Sequence, residues 1–263
     1  MKEELKELSK GIGKAVETVP ELYQDAFQPS AQEIGKLAGR LPRVINALFA
    51  NVDIWVLQRE NAVKEVQKLL ELKLDHTAQE KIVDPEPYVA LPAIQAISYS
   101  MGNEELRNLY ANLLAKAMID DTKESVHPSF VEIIKQMSPI DALVFKIIVE
   151  SDLRPVIDLN RNMPSGGTQN IQNHCTWIKE FSIKQCATAI DNLLRLGLIE
   201  IPFGNYYTQQ EAYNSIKENP LFQILEQESV KTFNNGETLD YEKNYIKLSD
   251  FSMLFYNICV VNP

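Results

Sequence analysis

Hydrophobic residues recur at three- and four-residue steps through most of the first half of the chain, a period that predicts helices. Leu5, Leu8, Ile12, Ala15, Val16 and Val19 mark an amphipathic helix over residues 1–19. Gly11 and Gly13 weaken it, since a glycine inside a helix costs about 1 kcal/mol relative to alanine. Pro20 opens a short helix, ELYQDAF, and Pro29 interrupts it. Ser30 followed three residues later by Glu33 forms a capping-box pattern, which predicts helix from there to about residue 81, kinked at Pro42. Residues 40–57, which include Trp55, are the most apolar part of the chain, and Arg40, Arg43, Asp53 and Arg59 interrupt or flank them. Beyond Glu60, the positions Val63, Val66, Leu69, Leu70 and Leu72 alternate with Lys and Glu, as in a long helix with a solvated face.

Asp84-Pro85-Glu86-Pro87 breaks the pattern, because proline disfavours helix in the residue before it. Residues 88–101 are almost uncharged, which predicts a helix buried in the middle of the helical domain and ended by Gly102. Asn103 then caps a helix carrying Glu104 and Glu105 in its first turn and an apolar stripe of Leu106, Leu109, Tyr110, Leu113, Leu114 and Ala117. A polar loop follows over residues 120–125. His127-Pro128 and Ser138-Pro139 each start a further helix, the second with Ile140, Leu143, Val144, Ile147 and Ile148 inward.

After residue 151 the pattern changes. Residues 154–160 alternate as a short strand, and residues 160–174, with Gly166-Gly167, read as a polar loop. Ser182 caps a helix over residues 183–196, Gly197 stops it, and residues 198–202 read as a strand. Helix, glycine stop and strand in that order describe the third helix and first wing strand of a winged helix-turn-helix, with residues 245–248 as the returning strand. The intervening stretch is too long for a simple wing and predicts an inserted helix near residues 211–217 or 221–228. A last amphipathic helix is expected over residues 249–259. The fold class is therefore mainly α: a helical bundle over residues 1–136, then a winged-helix-like α+β domain over residues 137–263 with an insertion at about 204–243.

The chain has 263 residues and a formal net charge of -10, which opposes general binding to phosphate backbones. Its three cysteines, Cys175, Cys186 and Cys259, are odd in number and widely spaced, so neither a disulfide framework nor a zinc knuckle is indicated. The N-terminal residues mix charges throughout and lack the apolar core of a signal peptide. No window of about 18 uninterrupted apolar residues occurs. A cytoplasmic location is expected.

No catalytic constellation stands out, so no enzymatic activity, cofactor, metal or small-molecule ligand is expected. His127 and His174 lack a patterned nucleophile or metal-ligand partner, and neither phosphate-binding glycine motif is present. If the winged helix binds DNA or a partner, Lys184, Gln185, Thr188, Asn192 and Arg195 on its third helix are the candidate contacts. Lys184 and Arg195 against Asp191 give only a small positive excess. Gly35 and Gly39, spaced G-x-x-x-G, together with Trp55, mark residues 30–60 for close helix packing or for a peripheral membrane contact. For the apolar run at residues 40–57 a core helix that the others wrap around is the default reading, and an interfacial helix its rival.

The run SMGNEELRNLYANLLAKAM, the loop, and HPSFVEIIKQMSPIDALVF resemble the central signature of the Abi-alpha (abortive infection alpha) family. LYQDAFQPSAQEIGKLAG resembles the family's opening segment, and KLSDFSMLFYNIC its closing helix. The resemblance covers most of the chain. It implies a bacterial phage-defence role, with the infected cell sacrificed or arrested, and implies no reaction or active-site residues. The function expected is therefore non-enzymatic abortive infection through protein–protein contacts, with a protein partner or self-association. A membrane-associated effector and a DNA-binding regulator are the alternatives.

Overall fold

A computed structural model describes residues 60–263 apart from Met101 and Glu180. The expectations for residues 1–59, including the capping box at Ser30 and the candidates Gly35, Gly39 and Trp55, lie outside the described residues. The chain divides into two compact units. The first closes at Lys135 and takes back Ile258–Pro263, and the second runs from Gln136 to Asn257.

In the first unit, α1 (Glu60–Leu74), α2 (Pro87–Tyr99), α3 (Glu104–Ala117) and α4 (Ser129–Lys135) pack together. Along α1, Val66, Leu70 and Leu74 are buried, whereas Leu72, expected inward, is 66% exposed. It sits two residues from Leu70, almost opposite on a helix. Among the described residues of this unit, the most enclosed helix is α3 and not α2. Residues from Leu109 to Ala115 are buried on every side of α3, while Tyr88 and Tyr99 at the ends of α2 are exposed. The middle of α3 carries small or apolar residues between charges confined to its ends, so neighbours can approach all round. Asn103 caps α3 as expected, its side-chain oxygen accepting the Leu106 N–H at 3.1 Å. Helix α2 ends at Tyr99 with the Ser100 N–H on the Ile97 carbonyl. Gly102 is not in the left-handed region, so the glycine stop expected there is not used. His127 Nδ1 accepts the Ser129 N–H at the start of α4.

Among the described residues of this unit, one polar side chain is buried with a long-range role. Asn112 in α3 is 2% exposed. Its Nδ2 donates to the carbonyls of Cys259 at 2.9 Å and Val260 at 3.1 Å. Those carbonyls end a π-helical turn over Tyr256–Val260, where wide turns leave carbonyls that need outside donors.

The second unit opens with α5 (Pro139–Glu150), started by a reciprocal pair in which Asp141 N–H reaches Ser138 Oγ and Ser138 N–H reaches Asp141 Oδ2. Its buried face is Ala142, Val144, Phe145, Ile148 and Val149, and Ile147 is 37% exposed. The inward stripe is thus turned from the expected one, toward Phe145, whose ring meets Phe255 edge-on at 5.5 Å. Next come β1 (Pro155–Asn162) and β2 (Thr168–Cys175), joined by a tight hairpin, then α6 (Ile183–Arg195). The loop expected over residues 160–174 is therefore a correction: most of it is strand. Gly166, at φ +88°, makes the turn, with Gly166 N–H on Met163 O and Met163 N–H on Gly167 O.

Helix α6 ends at Gly197 as expected. Gly197 adopts φ +70°, its N–H bonds Leu194 O, and Leu198 N–H bonds Leu193 O. The stretch after it is not a full strand: it makes a single bridge, Glu200 to Lys247. The third strand, β3 (Thr238–Tyr245), ends where the expected returning strand began and pairs along its length with β1. The sheet order is β2-β1-β3, all antiparallel. Both helices considered for the insertion are present, as α7 (Asn214–Lys217), entered by a 3-10 turn at Gln210–Tyr213, and α8 (Pro220–Val230). They cover one sheet face: Ile157, Leu159 and Cys175 form one cluster with Tyr213, Ile216 and Phe222. The closing segment is α9 (Asp250–Phe255) followed by the π turn.

Among the described residues, no helix is long and apolar enough to cross a membrane.

Candidate functional site

The residues picked from sequence on α6 fall into separate tasks. Gln185 is spent on its own helix start, its Oε1 accepting the Ser182 N–H at 3.0 Å. Asn192 and Arg195 are brought together. Asn192 Nδ2 donates to Gln136 O and to Asp141 Oδ2, both at 2.9 Å, and Asn192 Oδ1 accepts from Arg195 Nε and Nη2. Arg195 Nη1 donates to Gln136 Oε1 at 2.7 Å. This network holds α6 against the start of α5. Lys184 and Thr188 are exposed on the other turns of α6.

A second polar constellation lies where β2 meets α6. The strand partners step from Ile157↔Cys175 to Leu159↔Gln172, so β2 carries an extra residue opposite Asp158. His174 sits in that bulge at φ +56°, the left-handed region that costs a non-glycine residue about 1 kcal/mol or more. The conformation is held by three bonds. His174 N–H donates to Asp158 Oδ1 at 2.7 Å, and Asn244 Nδ2 donates to Asp158 Oδ2 at 3.1 Å. His174 Nδ1 lies 2.6 Å from Asp191 Oδ1 on α6. The ring is 19% exposed and the carboxylate 62% exposed. Sequence reasoning treated His174 as partnerless because its partners stand 16 and 17 residues away. Bulges leave no short-range motif.

An imidazole oriented by a carboxylate is half of a nucleophile-activating pair. The thiol next in sequence does not complete it. Cys175 is buried, and burial first, with the nearby Asp158 charge second, pushes its thiol up to about 12, so it is not a thiolate at neutral pH. Cys186 and Cys259 are also raised, chiefly by burial. Among the described residues, no cluster of His, Cys, Asp and Glu is arranged to hold a metal ion.

These thiols set an alkaline limit on stability. Each keeps its proton in the folded chain to higher pH than in the unfolded chain, where the ordinary value is 9.0. For Cys175 the contribution is therefore fully present below about pH 9 and is lost as pH rises toward about 12, and Cys186 and Cys259 act in the same direction. The urea midpoint is expected to be level between about pH 7 and 8 and lower at about pH 10. A thiol-reactive chromophore at about pH 8 should react only as fast as the chain opens. Stoichiometric labelling of the folded chain within seconds would contradict this.

Taken together, the described residues define an α-rich protein of two compact units, the second built on a small antiparallel sheet. The model of the abortive infection alpha family matches residues 58–259, and the chain belongs to that family. No curated protein and no solved structure matches it.

Proposed function

We propose that the protein serves in abortive infection, a defence in which a phage-infected bacterial cell is arrested or lost, and that it acts through protein contacts and not by catalysis. The observation that carries this reading is the family match over residues 58–259. The contact surface is assigned to the second part of the chain, from about residue 137, taken as a winged-helix-like module in the cytoplasm. Several features support that assignment: α5 packs on α6, a glycine stop follows α6, and one backbone bridge joins Glu200 to Lys247. The wing tip is the turn Pro202–Asn205, closed by Asn205 N–H on Pro202 O and by Gly204 at φ +71°. It carries Phe203, 94% exposed, an apolar ring of the kind that anchors protein partners.

DNA binding is less well supported, because Asn192 and Arg195 are engaged within the protein and Gln185 caps its own helix. Expression in a phage-sensitive host tests the proposal. Plating of at least one phage in a broad panel is expected to fall by roughly tenfold or more, and at high multiplicity the culture should collapse before new phage are released. Unchanged plating across the panel would remove the defence reading.

A further inference from the structure

The strand pairing leaves one edge of the sheet open in a regular way. β1 and β3 pair without a register shift from Pro155↔Tyr245 to Asn162↔Thr238. Ile246 N–H bonds Arg154 O at 2.9 Å, which fixes the alternation of the ladder. Asn244, Glu242, Asp240 and Thr238 therefore exchange backbone bonds with β1. Leu239, Tyr241, Lys243 and Tyr245 turn their N–H and C=O groups the other way. Lys247 is the next member of this outward series, and it does find a strand: it exchanges both backbone bonds with Glu200, at 2.8 and 3.0 Å. Pro202 and the turn after it then take the chain out of the ladder. Among the described residues, the outward groups of Leu239, Tyr241 and Lys243 have no backbone partner.

Folded proteins guard such edges with bulges or charges. The opposite edge, β2, has two register shifts against β1. β3 has none, and its Lys243 side chain is occupied on the packed face by Gln210 and the Tyr213 ring. The other face of β3 presents Asp240 and Glu242 to solvent, with Asp158 opposite Glu242 on β1.

We propose that the outer edge of β3 takes an added strand: an extended segment of another protein, about seven residues long, with lysine or arginine at alternate positions. Backbone bonds to Leu239, Tyr241 and Lys243 would supply the pairing, in line with the place Glu200 already occupies. Alternate side chains of that segment would lie beside Asp240 and Glu242, where opposite charge is favoured and like charge disfavoured. The same carboxylates argue against a second copy of this edge as the occupant. The inference deepens the protein-contact reading above and rests on it, but its test needs no phage.

Fluorescence anisotropy with the full chain at low salt would follow a labelled peptide alternating lysine and valine. Three comparisons define the mode. The peptide alternating glutamate and valine should bind at least roughly tenfold more weakly. The lysine peptide N-methylated at alternate amides should weaken by a similar factor, because it cannot form one side of the ladder. The double variant Asp240→Lys, Glu242→Lys, on exposed positions that leave the fold intact by circular dichroism, should prefer the glutamate peptide. Hydrogen exchange at the Leu239, Tyr241 and Lys243 amides should slow on binding. Absence of binding at low salt overturns the proposal. So does binding that survives N-methylation of the peptide and leaves those amides exchanging freely, since that would be charge attraction alone. Either failure leaves the plating result untouched, and a failed plating assay leaves peptide binding intact.

Discussion

Asn112→Asp is expected to lower unfolding stability by about 4 kcal/mol, which is a large share of the ~5–15 kcal/mol available to a typical protein. The native amide gives both its protons to the Cys259 and Val260 carbonyls, inside α3 and out of contact with water. An aspartate of the same shape sets an acceptor oxygen where the amide nitrogen stood, against both carbonyls. Ionised, it is a buried charge facing carbonyl dipoles; protonated, it has one proton where two are wanted. Asn112→Leu removes the repulsion but still strands the carbonyls, at a cost of about 2–3 kcal/mol. The same geometry fixes the amide's orientation, because a flipped amide would set Oδ1 against both carbonyls. Urea titration of the three proteins is the measurement. A loss under about 1 kcal/mol for the aspartate variant would mean that the π turn does not depend on α3.

Asp141→Ala should be nearly as costly, at about 3 kcal/mol. Asp141 is 5% exposed and serves two structures at once. Toward its own helix it accepts the Ser138 N–H at 2.6 Å, closing the first turn of α5, and a carboxylate there also favours the helix dipole. Toward α6 it accepts Asn192 Nδ2 at 2.9 Å. Loss of a capping group costs about 1 kcal/mol and a charged hydrogen bond about 1.5–3 kcal/mol. A double-mutant cycle with Asn192→Ala separates the two. Coupling above about 1 kcal/mol is expected between these positions. Coupling near zero would show that Asp141 acts on α5 alone, and that α6 is placed by its apolar face.

How much of this was legible in the sequence differs with the distance over which each feature is encoded. Helix starts were readable because their chemistry is local: Asn103, Ser138 and Ser182 each bond a backbone N–H three residues on. Gly197 was readable as a stop, since the left-handed position after a helix favours glycine. Gly102 looked the same and is not used that way, because α2 has already ended at Tyr99. β2 was missed since TQNIQN is mostly carboxamide, with one apolar residue, Ile171, to mark alternation. Its strand character comes from pairing with β1, not from its own preference. β3 was placed too late in the chain for a similar reason, its alternation of Leu239 and Tyr241 with Asp240 and Glu242 being hidden inside a stretch assigned to an insertion. The polar constellation at His174 was invisible because all of its partners are supplied by other elements. On α6 the sequence offered five polar candidates but could not tell which of them would be consumed within the fold. Asn192 and Arg195 are, whereas Lys184 and Thr188 face solvent.

The return of residues 258–263 to the first unit has a consequence for how the protein is made. Asn112 and Cys259 stand 147 residues apart, and at ordinary translation rates of about 5–20 residues per second the ribosome needs roughly 7–30 s to get from one to the other. For most of that interval α3 is made but lacks the carbonyls its buried amide requires, while the second unit is being synthesised. The unit begun first is therefore finished last. A chain cut short just before residue 258 would carry a complete second unit and an open first one, a state that chaperones and proteases would meet before any partner does.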